Sequence, residues 1–334
     1  MMASELDSGP VFVVGMNGSG TTMLLDCLGR HPALYAFPRE TRLIPHLIAG
    51  MGRFGDLNVD ANFQRLWDEV RGLAAFRQAN GGVPVPLPPD WRDAPRSLAG
   101  VLDAVFSGFA ARVSKRRWCE KTPQHVQHLL SLAAQFPTAR FVHLIRDGRD
   151  CAASFHRRWL RQPELTIFRW KKVVATGRAQ GAQLGADRYL ELRYEDLTGE
   201  PEPSLRNVCS FLGLPFDAAV LESAQPYLAR ESEGSGTGLR ANSGKWRQYF
   251  PARTAQRLER IAGRTLAACG YATDCPQGDA NVPGWQRRYW SASESLRQYG
   301  REIWLKLNGE LARPWSEILA KPLNALRQRR HNEY

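Results

Sequence analysis

The sequence lacks features that would assign it to several common classes of protein. No apolar run in its 334 residues is long enough to cross a bilayer, and the first residues lack the basic-then-apolar pattern of a secretion signal. Its six cysteines form no CxxC pair and have no histidines at zinc-finger spacing, which predicts reduced core residues. Together these absences favour a cytoplasmic location.

Positive charge is what the chain has in excess. Lysine and arginine number 45 against 33 acidic residues, a formal net charge of +12 at pH 7. A basic surface favours anionic partners, and charge alone does not choose among a nucleotide, a sulfated or phosphorylated acceptor, nucleic acid and an acidic membrane. The hydrophobic fraction of 43% is ordinary for a globular protein.

Short apolar runs alternate with amphipathic segments along most of the chain. The runs predict buried parallel strands at 11–14, 141–145 and 189–192. Helices are predicted at about 20–28, 123–136, 204–212 and 254–269. Strands separated by helices predict an α/β fold, a parallel sheet flanked by helices around a P-loop-like nucleotide-binding core.

A glycine-rich turn follows the first predicted strand and leads into a helix. It reads Gly15-Met16-Asn17-Gly18-Ser19-Gly20-Thr21-Thr22. Backbone N–H groups in such a turn, together with the positive end of the helix dipole, bind phosphate oxygens. The spacing is that of the NTP-binding P-loop, but Thr21 stands where the lysine belongs. The turn therefore favours a nucleotide that needs no metal, with a P-loop kinase or NTPase as the alternative.

A second anion-binding signal follows the strand predicted at 141–145. Ligands of open α/β sheets bind beyond the carboxyl ends of the strands, which is where Arg146 lies. Ser154 falls in the helix that follows, so the two side chains could hold one phosphate between them. An Arg–Asp surface network that caps the helix is an equal alternative for this segment alone.

These two motifs resemble those of the sulfotransferases that use 3′-phosphoadenosine 5′-phosphosulfate (PAPS). The sequence is most similar to the tyrosylprotein branch and its bacterial relatives, over residues 10–45, 118–155, 189–214 and 242–271. The resemblance implies PAPS as cosubstrate, no metal, and transfer of a sulfuryl group to an acceptor hydroxyl or amine.

The resemblance also implies which residues hold the nucleotide. Those expected at the 5′-phosphosulfate are Asn17, Gly18, Ser19, Gly20, Thr21 and Thr22. Arg146 and Ser154 are expected at the 3′-phosphate, and Tyr194 is expected to help enclose the nucleotide. Ser243 and Lys245 lie in a late segment similar to a family loop that closes on the cofactor.

Two further segments carry the implied catalytic residues. Glu40 lies in a stretch similar to the one that supplies the tyrosylprotein enzymes' general base, and Lys121 matches a lysine that faces the sulfuryl group. Arg39 and Arg42 are expected to contact the acceptor. A surface ion-pair network around Glu40 and a snorkelled surface position for Lys121 are the ordinary alternatives.

Position 18 departs from the family pattern, which has arginine or lysine there. Lys121, Arg39 and Lys245 are the candidates to supply the missing charge, and an arginine introduced at Gly18 is expected to restore part of the rate lost without Lys121. The acceptor stays open among peptide tyrosine, carbohydrate and lipid headgroup. Residues 43–117 and 230–245 are expected to form its site because acceptor sites are built from variable loops.

The last 54 residues differ in composition from the rest. Residues 281–334 hold ten Lys/Arg against five Asp/Glu and four of the ten tryptophans. A helix is predicted at about 293–311 with Leu296, Ile303, Leu307 and Leu311 along one side. This divides the chain into a sulfotransferase domain, 1–280, and a basic, Trp-containing helical extension, 281–334. The extension is expected to contact the catalytic domain, a second subunit or an anionic membrane; nucleic acid is not expected as a partner.

Overall fold

Five parallel strands form a single sheet in the part of the chain that the structure, a computed structural model, describes: residues 9–222 and 243–308. The strands are β1 (Val11–Gly15), β2 (Leu34–Ala36), β3 (Arg117–Lys121), β4 (Arg140–Ile145) and β5 (Tyr189–Arg193). Their spatial order is β2-β3-β1-β4-β5, and every neighbouring pair is parallel. The predicted parallel sheet is confirmed, and β2 and β3 join the three strands that the apolar runs predicted.

Helices supply the connections between the strands. Those before β4 are α1 (Thr21–Arg30), α2 (Ile44–Ala49), α3 (Asp60–Arg71), α4 (Ala74–Ala79), α5 (Leu98–Ala111) and α6 (Leu129–Gln135). Those after β4 are α7 (Gly148–Trp159), α8 (Pro163–Leu184), α9 (Tyr194–Gly199), α10 (Pro201–Phe211), α11 (Ala219–Glu222), α12 (Trp246–Tyr249), α13 (Ala252–Ala268) and α14 (Gly284–Leu307). Short 3-10 helices lie at Met51–Phe54, Trp91–Asp93 and Pro123–His128.

β1 is buried on both faces of the sheet. Phe12 and Val14 pack in a cluster with residues of α3, α5 and α6, whereas Val11 and Val13 pack in another with residues of α1 and α10. Because successive side chains of a strand point to opposite faces, an uninterrupted apolar run serves two layers of helices. All six cysteines are free, and five of them are buried, as their spacing predicted.

The strand order places the two predicted phosphate-binding segments side by side. β1 pairs with β4, with Gly15 opposite Leu144. The chain leaves β1 toward β2 on one side of the sheet and leaves β4 toward β5 on the other. Such a reversal opens a crevice at the carboxyl ends of the two strands, where ligands of open α/β sheets bind.

Two predicted segments lie wholly or partly outside the described residues. These are the ligand-closing loop, of which 230–242 is not described, and the C-terminal extension from 309 to 334. Within the described ranges, no helix combines the length and the apolar character needed to cross a bilayer.

Candidate active site

The turn after β1 is shaped to present backbone groups at the start of α1. Gly18 and Gly20 have φ of 84° and 93°, a left-handed conformation that favours glycine. Ser19 donates to the Met16 carbonyl from both Oγ (2.7 Å) and the backbone nitrogen (3.1 Å), so it holds the turn together. Gly20 caps α1 without a side-chain acceptor. The first N–H groups of α1 are therefore positioned to bind an anion.

A cavity of about 700 Å³ opens beside this turn. Seven of the residues implied by the resemblance line it: Asn17, Gly18, Thr21, Thr22, Glu40, Arg42 and Lys121. They come from three segments that are distant in sequence. The fold thus brings the implied phosphosulfate loop and the implied catalytic residues to one site.

The two residues implied to be catalytic are paired with each other. Lys121 Nζ lies 2.7 Å from Glu40 Oε1, and Arg42 donates to Glu40 Oε2 from Nε (2.8 Å) and Nη2 (2.6 Å). Partial burial raises the pKa of Glu40, but the hydrogen bonds from Lys121 and Arg42 outweigh it and hold that pKa below its ordinary value. Glu40 is therefore an ionised carboxylate at neutral pH.

A buried carboxylate positions the segment that carries Glu40. Glu120 is fully buried and accepts hydrogen bonds from Thr41, through N (3.2 Å) and Oγ1 (2.9 Å), and from Thr122 Oγ1 (2.5 Å). Burial raises the pKa of Glu120, but His125, with Nδ1 at 3.2 Å, the Thr122 hydroxyl and the Thr41 N–H outweigh it and lower the pKa overall. Because Glu120 precedes Lys121 at the end of β3, it ties both residues implied to be catalytic to the sheet.

Arg42 adopts an uncommon backbone conformation, with φ of 40°. A non-glycine residue in this region costs on the order of 1–3 kcal/mol and persists only where its surroundings hold it. Here the Thr41–Glu120 bonds precede it, and its own N–H donates to Thr122 Oγ1 at 3.3 Å. The strained backbone at Arg42 directs its guanidinium toward Glu40, with which it forms the two hydrogen bonds given above.

Arg146 joins the glycine-rich turn after β1, the implied phosphate turn, to Tyr194. Its Nη1 donates to the Gly18 carbonyl at 3.2 Å, and its guanidinium lies 4.3 Å from the centre of the Tyr194 ring. The same ring packs against Gly20, where a Cβ would come within 2.6 Å of it. Ser154 lies in α7 beside Phe155, which lines the cavity. The residues implied to bind the two ends of the nucleotide are thus contiguous.

The Arg–Asp network that the sequence left as an alternative is also present, but it is buried. Asp147 caps α7 by accepting from the Arg149 N–H at 2.8 Å. The Arg149 guanidinium pairs with Asp147 at 2.7 Å and with Glu259 of α13 at 2.5 Å. Trp170 Nε1 holds the Arg146 carbonyl at 2.9 Å. The network fixes the turn from which Arg146 projects, so its presence is compatible with the phosphate-binding role that the sequence predicted for Arg146.

Eight of the fifteen implied residues do not line the 700 Å³ cavity, and Arg39, Ser243 and Lys245 are among these eight. Ser243 lines a separate cavity of about 330 Å³ together with Asp147 and Arg149. Lys245 and Arg39 are exposed and line neither cavity within the described residues. Of the three candidates for the charge missing at position 18, Lys121 alone among the described residues lines the cavity of Glu40.

Asp150 connects the late segment to α7. It accepts from the N–H groups of Gly244 (2.7 Å) and Trp246 (2.9 Å). Burial and the neighbouring Asp147 raise the pKa of Asp150 above its ordinary value. Asp150 therefore places the segment of Ser243 and Lys245 at the start of the helix that carries Ser154.

The space that an arginine would need at position 18 is occupied. A Cβ on Gly18 would come within 2.7 Å of the Phe155 ring, which packs edge-on against Trp159 with ring centres 4.9 Å apart. The rescue by Gly18→Arg stays a prediction, and this packing counts against it because the substitution would strain the backbone and displace an aromatic pair.

Gly18→Ala tests this packing. We expect it to lower the free energy of unfolding by about 1–3 kcal/mol, from the left-handed backbone and the clash with Phe155. Gly81→Ala is the matched control because Gly81 has φ of 70° and nothing within 4 Å of its added Cβ. Denaturant unfolding measures both variants, and equal losses would contradict a role for the Phe155 contact.

The outer wall of the cavity comes from the C-terminal helix. Gln298, Arg301, Glu302 and Leu305 of α14 line it together with Phe155, Trp159 and Arg161. None of the described lining residues comes from 43–117, where the acceptor site was expected. Arg161 and Arg301 are therefore additional cations at the cavity that neither composition nor resemblance indicated.

A buried glutamate holds α14 in this position. Glu294 is 1% exposed, accepts from the Gln162 N–H at 2.7 Å, and pairs with Arg161 (3.2 Å) and Arg169 (3.7 Å). One turn further on, Gln298 donates to the Trp159 carbonyl at 2.9 Å. In the sequence, Glu294 looks like an ordinary exposed charge on a helix, so no pattern predicted that it would be buried and hold the helix in place.

A glycine-rich turn after β1, an arginine after β4 and a carboxylate–lysine pair beside them are features expected of a nucleotide-binding protein of the α/β class. The model of the sulfotransferase family matches residues 10–218, and the chain belongs to that family. The kinase alternative is not favoured. In the described residues, no group of three or more His, Cys, Asp and Glu is arranged to hold a metal ion.

Relatives and solved structures agree with this assignment. Protein-tyrosine sulfotransferase 2 of Gallus gallus is 26% identical over 227 residues, covering 63% of this chain and 53% of its own. Protein-tyrosine sulfotransferase 1 of Danio rerio is 27% identical over 227 residues, covering 63% and 55%. The chain thus spans about half the length of these relatives.

Two solved domains share the fold. The sulfotransferase domain of the Synechococcus PCC 7002 olefin synthase superposes with a TM-score of 0.50 at 25% identity, over 76% of this chain and 94% of that domain. The sulfotransferase domain from the curacin biosynthetic pathway superposes with a TM-score of 0.52 at 20% identity, over 79% and 98%.

Proposed function

We propose that the protein transfers a sulfuryl group from PAPS to an acceptor hydroxyl or amine by in-line displacement, without a metal. The observation that carries this proposal is the Glu40–Lys121 pair, 2.7 Å apart, in the cavity beside a phosphate turn that has Thr21 in place of the P-loop lysine. Family membership supports the reaction class. The names of the relatives make a protein tyrosine the first acceptor to test.

The two ends of the nucleotide have separate binding groups in this proposal. The first N–H groups of α1 and the hydroxyls of Thr21 and Thr22 hold the 5′-phosphosulfate. Arg146 and Ser154 hold the 3′-phosphate, and Tyr194 encloses the nucleotide beneath Arg146. A charged fork on the 3′-phosphate distinguishes PAPS from nucleotides that lack this group.

In the proposed reaction, Glu40 accepts a proton and Lys121 stabilises a developing charge. The acceptor oxygen forms a bond to sulfur as the bond from sulfur to the 5′-phosphate oxygen breaks, and the leaving nucleotide keeps that electron pair. Glu40 takes the acceptor proton, a role typically worth about 10²–10⁴-fold. Lys121 stabilises the negative charge that grows on the leaving oxygen, in the manner of phosphoryl transfer.

The acceptor side combines apolar surface with guanidinium groups. Phe155, Trp159 and Leu305 provide the apolar part, and Arg161 and Arg301 the charged part. Because α14 supplies part of this wall, we infer that the catalytic unit extends through α14 and does not end near residue 280. The free, mostly buried cysteines support a reducing compartment, which keeps a cytoplasmic location as our proposal.

A nucleotide titration tests the proposed cosubstrate. We expect 3′,5′-ADP to raise the melting temperature without Mg²⁺, and to do so at lower concentration than 5′-AMP or ATP with Mg²⁺. Turnover is then tested with ³⁵S-labelled PAPS and a tyrosine peptide, with the phenylalanine version of the peptide as control. Stabilisation by ATP with Mg²⁺ and none by 3′,5′-ADP would refute the proposal.

A further inference from the structure

α14 turns the side that carries Glu294, Trp290 and Leu305 toward the protein and leaves a line of large apolar side chains exposed. The inward side carries the buried Glu294. The outer stripe of α14 consists of Trp285, Tyr289, Leu296 and Leu307, which are 72%, 66%, 71% and 71% exposed. Their spacings of 4, 7 and 11 residues keep them on one line along a helix of 3.6 residues per turn.

This orientation corrects one of the sequence-based expectations. Leu296 and Leu307 lie on the side that could have packed on the catalytic domain, yet both are exposed. Of the twelve large hydrophobic side chains that are exposed in the described ranges, five belong to α14. Apolar side chains gathered on one exposed line mark a surface that binds something, whereas scattered ones do not.

Basic residues border the outer stripe on both sides. At 100° per residue, Arg288 and Lys306 fall along one edge, and Arg297 falls along the other, next to Trp304. The helix has five arginines and lysines against two glutamates, one of which is the buried Glu294. The helix surface on both sides of the stripe is therefore basic, with Arg297 also donating to Gln162 Oε1 at 2.9 Å.

We propose that the outer stripe of α14 lies on the surface of an anionic lipid bilayer. Tryptophan and tyrosine favour the headgroup region, and each nearby lysine or arginine adds about 1 kcal/mol on an anionic membrane. A second copy of the chain fits less well. A single helix is about 36 Å long, and the exposed ridge along it is too narrow to bury the roughly 800 Å² per partner that a stable interface needs. An isologous contact would also bring basic edges together.

The membrane contact has a consequence for the cavity. Arg301, Glu302 and Leu305 line the cavity from the same helix that carries the stripe. A helix lying on the bilayer therefore holds the cavity close to the membrane surface. The acceptors it encounters would be those displayed at that surface.

Sedimentation of the full chain with vesicles tests the proposal. We expect binding to phosphatidylcholine vesicles that contain phosphatidylglycerol, weaker binding to pure phosphatidylcholine, and a decrease with salt. The triple variant Trp285→Ser, Leu296→Ser, Leu307→Ser should bind the anionic vesicles at least about tenfold more weakly. Val59→Ser, Val83→Ser, Val113→Ser is the matched control, since those side chains are 50%, 58% and 54% exposed elsewhere on the protein.

Three outcomes would overturn the proposal. They are a wild-type chain that leaves anionic vesicles unbound, two triple variants that bind alike, and a dimer in light scattering that only the α14 variant dissociates. The last would assign the stripe to a second copy of the chain. Stabilisation by 3′,5′-ADP should be unchanged in the α14 variant, so this test does not depend on the proposed reaction.

Discussion

Glu40→Gln is expected to lower kcat by about 10²-fold or more while the affinity for 3′,5′-ADP stays near that of the wild type. The amide keeps the size of the side chain and removes its ability to accept the acceptor proton. Steady-state kinetics with PAPS and calorimetric titration with 3′,5′-ADP measure the two quantities. Retention of most of the activity would assign the base elsewhere, and Glu302 is then the next carboxylate on the cavity wall.

Histidine is the other common general base, and the surroundings of His31 and His143 exclude both from this role. His31 Nε2 lies 2.9 Å from the Pro215 carbonyl. His143 is fully buried with Nδ1 2.6 Å from the Tyr189 hydroxyl. Burial, with a smaller contribution from Arg178, lowers the pKa of His143 to about 3.

The pH profile supplies an independent control on Glu40. Arg42 stabilises the ionised carboxylate and so helps to keep its pKa low. Arg42→Met removes that support, which raises the pKa of Glu40. The acidic limb of kcat/KM, which reports the base in the free enzyme, should therefore move to higher pH. An unmoved limb would contradict Glu40 as the base, whatever Arg42→Met does to acceptor affinity.

Arg146→Ala is expected to weaken 3′,5′-ADP binding by about 2–4 kcal/mol and to leave 5′-AMP binding nearly unchanged. The guanidinium is the proposed partner of the 3′-phosphate, which 5′-AMP lacks. Calorimetric titration of both nucleotides measures the difference. Arg146→Lys, which keeps the charge and loses the two-pronged geometry, should give an intermediate loss.

The outcome that would contradict this role follows from the other contacts of Arg146. Arg146 also donates to the Gly18 carbonyl, and its guanidinium lies over the Tyr194 ring. If those contacts were its whole function, Arg146→Ala would loosen the phosphate turn and weaken both nucleotides equally.

The strands show which parts of the fold could be predicted. β1 is an uninterrupted apolar run up to Gly15, and β4 is apolar at Phe141, Val142, Leu144 and Ile145, so the pattern alone placed them. β3 reads Arg-Trp-Cys-Glu-Lys, yet every residue is buried, because distant groups satisfy its charges. Arg117, for example, donates to the carbonyls of Gly9 and Leu212. No local measure of hydrophobicity could have identified that strand.

The site residues also divide into those that the sequence could predict and those whose contacts only the folded chain determines. The glycine turn after β1 and the arginine after β4 were recognisable because each depends on a few consecutive residues, whose φ angles and N–H groups are set locally. The resemblance to the sulfotransferase family identified Glu40 and Lys121 as candidates, because they lie at matching positions in its motifs. Their pairing depends on the β2–β3 neighbourhood and on Glu120, which reaches Thr41 across 79 residues.

For the C-terminal helix, the sequence and the tertiary structure determined different properties. Composition determined that a basic, tryptophan-containing helix would form here, because helical periodicity and charge are properties of the segment itself. Which side of it faces outward was decided by Glu294 bonding to Gln162 and Arg161, more than 130 residues away. A buried carboxylate must find hydrogen-bond donors, and only the folded chain determines where those donors lie.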